Sequence, residues 1–127
     1  MKPEVGQTYS RRAISKMLGG SQIAYLPHKD GQVLCGCFDT SPKLNPGAPT
    51  EVFFGQGATK VEEMAEMIYR QHTAIPIFLR RTPGQWEYVG DYLCVHLSRD
   101  ADLLKRKRNA YPHRQNGIAG VLYFKKV

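Results

Sequence analysis

A chain of 127 residues, 42% hydrophobic and 23% charged, has the composition of a globular protein and room for one core, which predicts a single domain over 1–127. It has no apolar run near the roughly 18 residues of a membrane span, its first residues lack the apolar core of a secretory signal, and its three cysteines make no disulfide framework; a reduced, cytoplasmic protein without membrane contact is expected. The net charge of +7 points to polyanionic partners, nucleic acid first among them.

Residues 10–18 (S-R-R-A-I-S-K-M-L) spell a short helix: Ser10 is an N-cap, Ile14, Met17 and Leu18 share a face, and Gly19-Gly20 stops it. Residues 22–26 and 32–38 are strand-like, joined by the turn His28-Lys29-Asp30-Gly31 with its Asp-Gly hairpin signal. The loop over 39–50 (D-T-S-P-K-L-N-P-G-A-P-T) is stiffened by Pro42, Pro46 and Pro49, and reads either as a functional loop or as a plain connector.

Residues 51–54 form a strand closed by Gly55 and Gly57. A helix over 60–72 follows, with Val61, Met64, Ala65 and Ile68 in one stripe and Glu62, Glu63 and Glu66 in its N-terminal half, where the helix dipole favours anions. Residues 75–80 and 86–89 are strands about the turn 81–85. A strand over 91–97 continues past a break at Gly90, and 120–125 is the last strand. Six or seven short strands with tight turns and two helices predict an α+β fold, mostly antiparallel, a barrel or an α+β domain rather than a doubly wound sheet.

Phe54-Gly55-Gln56-Gly57 leads from strand to helix, but Lys60 breaks the dinucleotide pattern and no phosphate loop is present, so no nucleotide cofactor is expected. The glycines suit a tight turn or the close approach of a ligand. Cys35 and Cys37 lack zinc-ligand spacing and share a strand face as core filling, and His28, His72, His96 and His113 are scattered, so neither metal nor cofactor is expected. The run Lys105-Arg106-Lys107-Arg108, followed by Tyr111, is either a solvated loop or helix end, or a phosphate clamp with Tyr111 stacking, to which Arg11, Arg12, Arg80 and Arg81 would add. Three basic clusters strengthen the nucleic-acid reading.

The series Phe54-Gly55-x-Gly57, helix, Ile77-Phe78 and Tyr88-x-Gly90-x-Tyr92, spread over 51–95, resembles the second half of SRA-like domains, members of the SRA/PUA-like group. These are compact β-barrels that read modified bases and in bacteria are often attached to restriction nucleases. The resemblance implies a small, mostly antiparallel PUA/SRA-like barrel, binding to DNA in preference to RNA through a flipped-base pocket, and a nuclease partner for any cleavage. It makes Phe54 the stacking wall, Asp39 or Asn45 the reader of the Watson–Crick edge, the Cys35–Cys37 backbone a further wall, and Gln56 the filler of the vacated space or contact to the orphan base. Trp86 and Tyr88 would add stacking. The Glu- and Met-rich helix after the glycine turn departs from the family, which shows Asp or Asn there. The motifs R-R-x-I-x-x-x-L-G-G and N-P-x-A-P point to a separate subfamily. The expected function is a non-enzymatic reader of modified DNA. The alternatives are a small enzyme acting on a nucleobase or nucleotide, and an interaction domain that binds acidic proteins.

Overall fold

The computed structural model describes residues 2–56 and 59–127; Gly57, the second glycine of the aromatic-glycine motif, lies outside the described residues. In chain order the elements are β1 (Thr8–Tyr9), α1 (Arg11–Leu18), β2 (His28–Lys29), β3 (Gln32–Val33), β4 (Gly36–Asp39), β5 (Glu51–Phe54), α2 (Thr59–Gln71), β6 (Ile75–Thr82), β7 (Gln85–Ser98), α3 (Ala101–Ala110) and β8 (Gly120–Lys126). The main sheet runs β4-β6-β7-β8-β5, with β1 added to β7, and β2 and β3 form a separate hairpin. Among the described residues only β4 and β6 pair in parallel; the other ladders are antiparallel.

Local chemistry sets most of these boundaries. Ser10 caps α1 by accepting from the N–H of Ala13 at 3.0 Å. Asp30 and Gly31 both take positive φ, 52° and 77°, which the two-residue turn between β2 and β3 requires. Pro83-Gly84 turns β6 into β7, with Gly84 at φ 75°. Leading out of α2, His72 adopts φ 50°, a left-handed residue that ends the helix.

Four expectations need correction. Residues 22–26 are not a strand: Ser21 Oγ accepts from the N–H groups of Ile23 and Ala24, and Arg11 donates to the carbonyls of Ser21 and Ala24, so side chains take several of the backbone groups a ladder would use. The expected strand over 32–38 divides into β3 and β4, which pair with different partners. Gly90 does not break β7. Ile77 pairs with Gly90 and Phe78 with Tyr88, so Val89 is an inserted bulge residue and the strand runs on. Finally, the described residues form three helices where two were expected: the basic run lies on α3, whose N-cap Asp100 accepts from the N–H of Leu103.

Strand alternation divides the core between the sheet faces. Phe38, Phe54, Ile77 and Leu79 pack with Met64, Ala65 and Ile68 of α2. Cys35, Cys37, Phe78 and Trp86 pack with Ile14 of α1, and Phe53 and Val121 with Leu104 of α3. The strands β4 and β5 are left as the two edges; among the described residues no ladder joins them, so the ring expected of a barrel is not closed by strand pairing. Among the described residues no helix is long and apolar enough to cross a membrane.

Candidate functional site

A cavity of about 680 Å³ opens between the edge strands β4 and β5, within the size range of small-ligand pockets. Cys37 and Asp39 face it from β4, Phe53 and Phe54 from β5, and Leu44 and Asn45 from the proline-rich loop. Further walls come from Tyr25 and His28, from Val61 and Met64 of α2, and from Arg11, Trp86 and Arg114. Of the six residues expected in a base pocket, Asp39, Asn45, Phe54, Gln56 and Trp86 line this one cavity, and Tyr88 does not. The Tyr88 hydroxyl instead donates to Asp91 at 2.6 Å, and burial together with that bond pushes its pKa up to about 12.

The two expected edge readers are also struts. Asp39 Oδ2 accepts from Arg80 at 2.8 Å and Oδ1 from the N–H of Ser41 at 2.9 Å. Asn45 donates its N–H to the Asp39 carbonyl at 2.9 Å and accepts on Oδ1 from the N–H of Phe53 at 2.7 Å. With Oδ1 committed, the Nδ2 amide is the group Asn45 has left to offer a ligand. Phe54 departs from the stacking role. It is 1% exposed, its tip rests against Gly120, and the Arg99 guanidinium lies 5.5 Å from its ring centroid. A ring so enclosed has little face left for a base.

Arg114, which no local sequence pattern marks, ties the cavity floor together. Its Nε donates to Leu44 at 3.0 Å, Nη1 to Gln115 and Gly117 at 2.8 Å, and Nη2 to Phe53 at 2.8 Å, all backbone carbonyls. Burial pulls its pKa below the ordinary arginine value. Only the turn beside it had a local signal: Asn116 and Gly117 take φ 61° and 65°. That turn explains Gly55, since a Cβ there would lie 2.9 Å from Asn116 Cβ. The first glycine of the motif admits a neighbouring loop rather than a ligand.

At the other end of the cavity, Arg11 Nη2 donates to Ser21 and Ala24 at 3.1 and 2.7 Å, and its guanidinium sits 5.1 Å from the Trp86 ring centroid. Arg11 Nε and His28 Nδ1 are buried with no hydrogen-bond partner, although buried polar atoms are seldom left unpaired. The Tyr25 hydroxyl donates to the Val61 carbonyl at 2.5 Å, and burial raises its pKa. Cys35 and Cys37 are buried free thiols, and the interaction of each with the other pushes Cys35 up and Cys37 down.

The expected phosphate contacts divide sharply. Arg80 pairs with Asp39, Arg81 with Glu87, and Lys107 with Glu51 at 2.7 Å, while Arg108 Nε and Nη2 donate to the Ile118 carbonyl at 3.0 and 2.8 Å. The bond to Glu51 holds the Lys107 pKa above its ordinary value. Tyr111 packs on Phe53, ring centroids 5.2 Å apart, and so belongs to the core under α3. Arg12, Lys105 and Arg106 are exposed. Among the described residues no group of three or more His, Cys, Asp or Glu side chains is placed to hold a metal ion.

The model of the family described as Domain of unknown function (DUF6697) matches residues 8–113. No curated protein matches the sequence. Among solved structures, the Type IV phosphorothioation-dependent restriction endonuclease ScoMcrA is similar over 98% of this chain and 28% of its own, at 17% identity and TM-score 0.54. The sulfur-binding and SRA domains of ScoMcrA complexed with phosphorothioated DNA are similar over 98% of this chain and 39% of that one, at 18% identity and TM-score 0.56. The SUVH5 SRA domain, in complex with hemi-methylated CG DNA, is similar over 100% of this chain and 90% of its own, at 10% identity and TM-score 0.62. The chain therefore spans less than two fifths of the ScoMcrA structures and nearly all of the SUVH5 domain. At these identities the likeness is one of fold, and the fold is SRA-like.

Proposed function

The chain belongs to the family described as Domain of unknown function (DUF6697), and from that premise and its SRA-like fold we propose that it is a non-enzymatic module that binds modified DNA by taking up a flipped base. The observation that carries this reading is the cavity of about 680 Å³ between β4 and β5, with Asp39, Asn45, Gln56 and Trp86 gathered on its walls. Two of the similar structures are complexes with hemi-methylated or phosphorothioated DNA. A flipped base is held by apolar walls and by hydrogen bonds to its edge. Tyr25, Trp86 and Met64 supply the walls. Asn45 Nδ2, with the unpartnered Arg11 Nε and His28 Nδ1, supplies polar groups for the edge.

In this reading Gln56 and Lys60, exposed residues that line the cavity, meet the DNA beside the extruded nucleotide, and Arg12, Lys105 and Arg106 contact phosphates. The sheet acts as the barrel of the group, its open seam between β4 and β5 bridged by the loop over 40–50. DNA is the partner ahead of RNA, and cleavage, where it follows, is the work of a nuclease in another domain or chain.

Fluorescence anisotropy tests the reading with matched duplexes, unmodified, 5-methylated, 5-hydroxymethylated and phosphorothioated, together with single strands and RNA, at two salt concentrations. The expected result is binding to one modified duplex at least about tenfold tighter than to its unmodified match, on the order of 1.4 kcal/mol. Equal, weak binding to every probe would leave only a basic surface and overturn the proposal.

A further inference from the structure

The acceptors on the cavity walls are largely engaged within the protein, and the donors are not. Arg114 donates to the carbonyls of Leu44 and Phe53, and the Tyr25 hydroxyl donates to that of Val61. Arg11 Nη2 braces the turn at Ile23 by donating to the carbonyls of Ser21 and Ala24. Asp39 accepts from Arg80 on Oδ2 and from the N–H of Ser41 on Oδ1, and Asn45 Oδ1 accepts from the N–H of Phe53. On the donor side, Arg11 Nε is buried without a partner, and the Nδ2 amide of Asn45 is left for a ligand. His28 Nδ1, also unpartnered, can serve a ligand in either sense, because one nitrogen of a neutral imidazole donates and the other accepts.

We propose that the base this cavity takes up is a keto base, a 4-oxopyrimidine or a 6-oxopurine, and not an amino base such as cytosine or adenine. This rests on the base-uptake reading above and names its ligand class. Thymine and guanine present the acceptors O4 and O6 where cytosine and adenine present the N4 and N6 amino groups. A carbonyl oxygen set against Arg11 Nε and Asn45 Nδ2 satisfies donors that the free protein leaves unmatched. An amino group in the same place sets donor against donor and leaves both buried and unpaired, which is costly. It would need an acceptor, and the carboxylate of the cavity, Asp39, is held by Arg80 at 2.8 Å. A second bond to an acceptor already engaged competes poorly with a first bond to a donor that has none. Reading of the base edge thus falls to Arg11 and Asn45, and Arg80 becomes a positioning residue: by holding Asp39 it withholds the carboxylate that an amino base would require.

The test uses the full chain and duplexes that differ in one central nucleotide, set opposite an abasic site so that no base pair opposes extrusion. Matched pairs isolate the edge: thymine against 5-methylcytosine, 5-hydroxymethyluracil against 5-hydroxymethylcytosine, and hypoxanthine against adenine. A duplex abasic on both strands at that position measures the binding that remains without a base. By fluorescence anisotropy the keto member is expected to bind at least about tenfold tighter than its amino partner, the discrimination of a good hydrogen-bonded contact to a base edge. Whether the gap appears in the pyrimidine pairs or in the purine pair identifies the kind of base. Arg80→Met releases Asp39 and should close most of the gap by raising the affinity for the amino member. A merely structural role for Arg80 would weaken both members alike, and that outcome overturns its part in the selection. Asn45→Asp keeps an oxygen for the N–H of Phe53 but exchanges the amide donor for an acceptor, and should lower the affinity for the keto members. Equal affinity within every pair, yet above that of the duplex without a base, overturns the keto assignment and leaves base uptake standing, as does a preference for the amino members. Equal binding to the duplex without a base and to all the others would instead sink the base-uptake reading, and the keto assignment with it.

Discussion

Asn45 joins the two open edges of the sheet to each other: its Oδ1 accepts from the N–H of Phe53 in β5, and its own N–H donates to the carbonyl of Asp39 at the end of β4. The residue is 6% exposed, so removing the side chain strands a buried donor on Phe53. Asn45→Ala is therefore expected to cost about 1–3 kcal/mol of stability, read as a lower urea midpoint. It should also loosen the loop over 40–50 and weaken DNA binding beyond the loss of one contact. An unchanged midpoint would show that the bridge contributes nothing to closing the seam.

Phe54 and Gly120 make a second paired constraint, one that changes how the pocket can be probed. A Cβ on Gly120 would lie 2.1 Å from Phe54 Cζ, so Gly120→Ala forces the ring aside and should destabilise the protein by about 1–3 kcal/mol. Phe54→Leu in the same chain should recover part of that loss, because the shorter side chain vacates the clash. Phe54→Ala alone opens a void in the main core at a cost of about 3–5 kcal/mol. Loss of binding in that variant would report damage to the fold rather than loss of stacking. Thermal denaturation of Gly120→Ala, Phe54→Leu and the double variant checks the pair, and independent, additive effects of the two single changes would contradict it.

The elements that were legible beforehand are those with local punctuation. Ser10 before α1, Asp30-Gly31 and Pro83-Gly84 each act within four residues, and the stripe of Met64, Ala65 and Ile68 needs only one helix to be seen. What stayed hidden depends on distant partners. Whether Gly90 breaks a strand or follows a bulge is decided by the register of β7 against β6, which periodicity does not carry. The helix α3 was obscured because its apolar face is little more than Leu103 and Leu104 amid charged neighbours. Arg114 reaches carbonyls 70 and 61 positions away, on Leu44 and Phe53, and nothing adjacent to it announces that role. The gathering of Asp39, Asn45, Gln56 and Trp86 came from the resemblance to SRA-like domains. The cavity walls from Tyr25, His28 and the braced turn at Ile23 had no such guide.

Burial also makes the protein sensitive to alkali. The Cys94 thiol, wholly buried, is pushed from an ordinary value of 9.0 up to about 11, and burial raises Tyr25 as well. In the unfolded chain Cys94 loses its proton first, so above about pH 9 the unfolded state binds fewer protons than the folded one and stability falls with rising pH. The contribution is fully present below pH 9 and lost as pH climbs through 11. Urea unfolding across pH 7–11 should show a plateau and then a decline. Cys94→Ala should flatten the decline by on the order of 2 kcal/mol, and an equally steep decline in that variant would move the cause elsewhere.

The basic residues separate into those the fold uses and those it leaves for a partner, and the salt dependence of binding distinguishes them. Lys107 is held by Glu51 and Arg108 by the Ile118 carbonyl, whereas Lys105 and Arg106 on the same helix are exposed. Each lysine or arginine that neutralises a phosphate releases condensed counterions and adds about 0.9 to the slope of log affinity against log salt concentration. Lys105→Ala and Arg106→Ala should each flatten that slope by roughly this amount and weaken modified and unmodified duplexes alike, because phosphate contacts carry no sequence information. Lys107→Ala should leave the slope near wild type and lower the thermal stability modestly, by about 1 kcal/mol or less for a pair so near the surface. A slope that falls with Lys107→Ala and not with Lys105→Ala would place the phosphate contacts on the opposite side of α3, with the Glu51 pair opening to admit the DNA.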